Sequence, residues 1–101
     1  MDKEFTREDY LKRFKEITEE MLAVTTRKNN DYGGHTDPFK NFRRHGVYGI
    51  LVRLDDKYSR LETVVKEQRE LQVADETILD TLIDIANYAI IMRIMLENGE
   101  K

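Results

Sequence analysis

Asp80 and Asp84 stand four residues apart in the most apolar part of the chain. On a helix turning about 100° per residue, both carboxylates lie on one face, one turn apart. Two like charges that close repel, and Asp84, flanked by Ile83 and Ile85, is costly to ionise unless a cation or hydrogen bonds compensate. A hard divalent cation is a common remedy, since Mg²⁺ prefers oxygen ligands and often takes one or two carboxylates together with phosphate oxygens. Thr77, Asp80, Thr81, Asp84, Asn87 and Tyr88 form one polar strip, which gives way to Ile91 and Met95. A solvated strip normally carries Lys, Glu and Arg; short neutral polar side chains predict the wall of a cavity. The competing reading is an ordinary solvated helix face.

A second set complements the first. Arg53, Asp56, Lys57 and Arg60, at relative spacings of three, four and seven, put one carboxylate among cations on one helical face. Ion pairing within the helix, worth only ~0.3–0.5 kcal/mol per pair, is the competing explanation. Ahead of both sets, in a predicted loop, Phe39, Asn41, Phe42 and Arg43 can stack a base and reach phosphate, or the phenylalanines can pin the segment to the body. His35 and His45 are expected at the surface. Neither Glu-x-x-His nor His-x-x-x-His occurs, so di-iron and zincin sites are unsupported.

Three helices must position these groups. The first is predicted to start at Thr6, where Thr6-Arg7-Glu8-Asp9 resembles a capping box with Asp in place of Glu. Its apolar stripe is Tyr10, Phe14, Ile17, Met21 and Val24, one more turn reaches Lys28, and the helix is expected to end in Asn29-Asn30-Asp31-Tyr32-Gly33-Gly34. Residues 31–46 hold three of the five glycines, the only proline and both histidines, which predicts a loop. The second helix is predicted over 47–70, with Val47, Leu51, Leu54, Tyr58, Leu61 and Val65 on its inward face. Residues 68–75 connect it to a third helix, capped by Asp75, running to about Leu96 and leaving at Asn98-Gly99.

Composition agrees with this all-α reading. At 101 residues the chain is read as a single domain, 1–101. Charged residues make up 37% of it, with one proline and five glycines, as in long solvated helices. With 17 basic and 20 acidic residues there is no basic excess for general nucleic-acid binding. The absence of cysteine excludes thiol chemistry and thiolate metal sites and suits a cytoplasmic protein. The charged N-terminal segment predicts no secretory signal, and Asp80, Asp84, Asn87 and Arg93 exclude an ordinary membrane helix in the apolar stretch. Apolar surface on several sides of the helices predicts a homo-oligomer, a dimer or a dimer of dimers.

Three blocks carry a resemblance. Lys28-Asn29-Asn30-Asp31-Tyr32-Gly33, then Arg53-Leu54-Asp55-Asp56-Lys57-Tyr58-Ser59-Arg60-Leu61, then residues 76–89 resemble, in that order, the nucleotide modification associated domain 1 family, found largely in phages and bacteria. More distantly the chain is similar to the all-α NTP pyrophosphohydrolases: MazG, dimeric dUTPases and dCTP pyrophosphatases. Asp80, Asp84 and Tyr88 match the frame of their second acidic motif. Their first motif reads Glu-Glu-x-x-Glu, whereas this chain has Asp55-Asp56-Lys57-Tyr58-Ser59 and lacks the final acid. The resemblance implies a MazG-like bundle completed by oligomerisation, and Mg²⁺-dependent (Mn²⁺ also serving) release of pyrophosphate from a (deoxy)nucleoside triphosphate. It implies that Asp56, Asp80 and Asp84, with Glu76 as an outer member, hold the metal. Lys28, Arg53, Lys57 and Arg60 then neutralise the leaving pyrophosphate, and Asp31, Tyr32 and Asn87 contact base or sugar. The alternatives are a non-catalytic nucleotide-binding or regulatory subunit and a plain helical oligomerisation module.

Overall fold

A computed structural model describes residues 4–32, 37–67 and 76–101, with the side chains of Tyr32, Glu76 and Thr77 outside that description. It contains α1 (Arg7–Tyr32), α2 (Gly46–Lys66) and α3 (Glu76–Glu97), and no strand among the described residues. The fold is all-α, as the composition and periodicity predict. None of its described helices is long and apolar enough to cross a membrane.

The helix ends follow local chemistry. At the start of α1 the Thr6 N–H donates to Asp9 Oδ2 (3.0 Å) and the Asp9 N–H donates to Thr6 Oγ1 (3.1 Å), which closes the capping box. α3 leaves its helical path at Gly99, whose φ of 74° suits a residue without a Cβ, while the Glu100 N–H donates back to the Met95 carbonyl (2.9 Å). α1 runs to Tyr32, within the 29–34 stretch where its end is expected and just into the segment predicted as loop. Asn29 and Asn30 are indifferent helix formers, but Asn29 Nδ2 donates to the Pro38 carbonyl (3.0 Å), a tertiary bond that outweighs propensity. The following loop turns through residues 38–45 and enters α2 at Gly46, one residue before the predicted start. Gly46 has a φ of 65°, and a Cβ there would collide with the Lys101 carbonyl oxygen. The predicted Asp75 cap, the 68–75 connection and His35 lie outside the described residues.

α2 and α3 run antiparallel and pack along much of their length, while α1 packs only on α3 among the described helices. The faces they use differ from the predicted ones. α2 turns inward Gly46, Ile50, Leu54, Lys57, Leu61 and Val64, leaving Leu51, Tyr58 and Val65 of the predicted stripe exposed. α3 turns part of its polar strip inward: Thr81 is 5% exposed and Asp84, Asn87 and Tyr88 are half-buried, whereas Asp80 is exposed. Met95 is fully buried and Ile78, Ile83, Ile85, Ile91 and Met92 are half-buried, but Leu79, Leu82 and Ile90 point out, at 48%, 44% and 49% exposure. On α1 only Met21 is buried, with Tyr10 and Phe14 exposed. The radius of gyration is 16.3 Å, against about 13 Å for a compact chain of this length, so the bundle is elongated.

Candidate functional site

The inward polar strip of α3 lines a cavity of about 650 Å³, within the usual range for small-molecule sites. All three helices and the 37–45 loop contribute. Thr25, Thr26, Lys28, Asn29 and Asn30 come from the last turns of α1; Phe39, Asn41, Phe42 and His45 come from the loop. Ile50 and Arg53 come from α2, and Asp84, Asn87, Tyr88, Ile91 and Ile94 from α3. One cavity therefore combines aromatic and aliphatic wall with two cations, one carboxylate and several amides.

Two polar rungs tie α2 to α3 at its edge. The Arg53 guanidinium lies 5.9 Å from the centre of the Tyr88 ring, and its Nη1 donates a long hydrogen bond (3.4 Å) to the Tyr88 hydroxyl. One turn along, Lys57 Nζ pairs with Asp84 Oδ2 at 3.0 Å. The spacing of four on each helix makes both rungs possible at once. Lys57 is thus the cation that the half-buried Asp84 requires, and the solvated-face reading of the strip gives way to a lined cavity.

Of the residues singled out from sequence, Lys28, Asn41, Arg53, Asp84, Asn87 and Tyr88 come together in the cavity, and Lys57 reaches it through Asp84. Asp31, Asp56, Arg60 and Asp80 are exposed and do not line it. Arg43 is exposed too, and its guanidinium is bound by Asp37 and Glu100 instead of facing the cavity. The side chains of Tyr32 and Glu76 lie outside the described residues. Among the described residues no three His, Asp or Glu side chains come close enough to hold a metal ion. Both loop phenylalanines are half-buried in the cavity wall.

Thr25, Thr26, Asn29, Asn30 and His45 were not foreseen as cavity residues. A signal for the first four exists: near its C-terminus α1 places short neutral polar side chains, Thr25, Thr26, Asn29 and Asn30, on either side of Arg27-Lys28, like the Thr and Asn of the α3 strip. His45 has no such signal; it is exposed, as expected, yet sits at the rim. The chain matches no family model, no curated protein and no solved structure.

Proposed function

We propose that the chain binds a nucleoside triphosphate in this cavity and hydrolyses it, water adding to the α-phosphorus as the bond to the β-phosphate breaks, so that pyrophosphate leaves and the nucleoside monophosphate remains. The observation that carries the reading is that three sequence-distant blocks supply one cavity: Lys28 from the first, Arg53 from the second, and Asp84, Asn87 and Tyr88 from the third. Phe39 and Phe42 offer faces on which a base stacks, and Asn41 and Asn87 offer amides for base or sugar. Lys28 and Arg53 supply the positive charge a triphosphate needs, Arg53 with a planar fork suited to phosphate oxygens.

The Mg²⁺ or Mn²⁺ implied by the family resemblance fits the described residues poorly. Of the implied ligands whose side chains are described, Asp56, Asp80 and Asp84, only Asp84 faces the cavity, and Lys57 already neutralises it. No step of the reaction is therefore derived through a metal. The same ion pair favours a second reading, a nucleotide-binding subunit without turnover, because among the described residues it leaves the cavity with no unpaired carboxylate.

Association of identical chains belongs to this proposal. The outward aliphatic face of α3, the exposed Leu51 and Tyr58 of α2 and the exposed Tyr10 and Phe14 of α1 are surface that a dimer or a dimer of dimers would cover. The functional test is a panel of ribo- and deoxynucleoside triphosphates, titrated calorimetrically and assayed for pyrophosphate, with Mg²⁺ and with EDTA. Binding with pyrophosphate release is expected. Binding alone would replace this reading by the second, and no binding by any member of the panel would overturn both.

A further inference from the structure

The aromatic part of the cavity wall stands on a short loop with little core beneath it, and Arg43 fastens that loop. Its Nε donates to Glu100 Oε1 at 2.9 Å, its Nη2 lies 2.7 Å from the same oxygen, and its Nη1 is bound to Asp37. The guanidinium also lies 5.7 Å from the centre of the Phe39 ring. Asp37 continues the chain of contacts, since its Oδ1 accepts from the Phe39 N–H at 3.1 Å. The Phe39 carbonyl then accepts from the N–H groups of Phe42 (2.8 Å) and Arg43 (3.0 Å), and the Phe42 carbonyl accepts from that of Gly46 (2.9 Å). A second contact joins the same two regions, where Gly46 leaves room for the Lys101 carbonyl. One cation therefore links the segment after α3 to the backbone that carries Phe39 and Phe42, 57 residues away in sequence.

Isolated surface ion pairs contribute little, but this one is a network: one planar guanidinium, two carboxylates from different segments and an aromatic face. The Glu100 hydrogen bond, followed by the charges of Asp37 and Glu100, holds the Arg43 guanidinium protonated even more firmly than usual, so the network persists at any pH that leaves both acids ionised.

We infer that Arg43 is a positioning residue, which clamps the Phe39–Phe42 wall against the end of α3 and so sets the affinity of the cavity without touching its ligand. The affinity part rests on the nucleotide reading; the clamp itself does not, and the two are tested separately. In Arg43→Met, amide hydrogen exchange at Phe42, residue 43 and Gly46 is expected to quicken about tenfold or more while the amides of mid-α3 stay protected. Arg43→Lys, which keeps the charge but loses the fork, is expected to fall between the two. Glu100→Gln should loosen the loop in the wild-type background and add nothing in the Arg43→Met background, a non-additivity that a generally weakened fold would not give. ATP and dTTP, titrated calorimetrically, are expected to bind Arg43→Met about tenfold more weakly at an unchanged helix content. Unchanged loop exchange in Arg43→Met, or full additivity with Glu100→Gln, would overturn the clamp. A loosened loop with unchanged ATP and dTTP affinity would overturn its role at the cavity. If wild type binds neither nucleotide, the functional reading fails and the exchange experiment still decides the clamp.

Discussion

Exchanging Asp84 for Asn tests what the polar strip is for. From sequence alone Asp84 reads as a carboxylate without a protein partner, so Asn should stabilise the metal-free fold or leave it unchanged. The Lys57 ammonium reverses that sign. At 3.0 Å, with side chains 22% and 31% exposed, the pair gains roughly 5 kcal/mol of Coulomb energy at an effective dielectric of about 20. Desolvation and the ordering of the lysine stem cancel most of it. Exposed pairs retain about 0.2–1 kcal/mol, and breaking a fully buried pair costs about 3–5 kcal/mol. This partly buried pair belongs between them, so Asp84→Asn is expected to lose about 1–2 kcal/mol. In a domain of this size that lowers Tm by roughly 5–15 °C. The assay is urea and thermal unfolding at pH 7 in EDTA, at one protein concentration, for wild type, Asp84→Asn, Lys57→Met and the double variant. The double variant should be more stable than the sum of the single losses implies, by about 1 kcal/mol, because it strands neither charge. An Asp84→Asn protein as stable as wild type, with no coupling to Lys57→Met, would refute the reasoning.

Hydrogen bonding from the Thr6 backbone N–H, then from its hydroxyl, holds the Asp9 carboxyl below the usual carboxylate range. A lowered folded-state pKa means that its contribution is complete above the ordinary carboxylate pKa and fades as pH falls through the lowered value. The Thr6 amide proton should therefore titrate in acid and the first turn of α1 fray with it, as followed by NMR; a Thr6 amide blind to pH down to the lowered value would remove the capping box. Light scattering at micromolar concentration is expected to give the mass of a dimer or tetramer, and a stable monomer would sink the assembly proposal.

The sequence carries the three helices plainly, because their caps and exits are local: Thr6 with Asp9 at one end, Gly99 at the other. The lined cavity is also legible, since Thr, Asn and Tyr replace Lys and Glu along the strip of α3. What escapes is whatever depends on distant pairing. The apolar periodicity of α2 does not say whether Leu51 and Tyr58 face this chain or another, and here they face outward. Nothing in the spacing pairs Lys57 with Asp84 rather than with an acid of its own helix, and nothing connects Arg43 to Glu100.

The inversion of α3 links these observations. A helix in a self-sufficient bundle turns its aliphatic side to its neighbours and its polar side to water. α3 gives its neighbours the polar side, where Lys57 and Arg53 meet Asp84 and Tyr88, and keeps Leu79, Leu82 and Ile90 outside. Such an arrangement forgoes much of the hydrophobic stabilisation that a small domain can least spare, because polar pairs return far less than buried aliphatic side chains do. Leu79, Leu82 and Ile90 leave apolar surface that the proposed association would cover, and a second chain bearing the same face is the simplest complement, since a twofold interface is self-complementary. The cavity lies across α3 from that surface. Substitutions at Leu82 or Ile90 should act on assembly and stability, while those at Asn87 or Tyr88 act on the ligand.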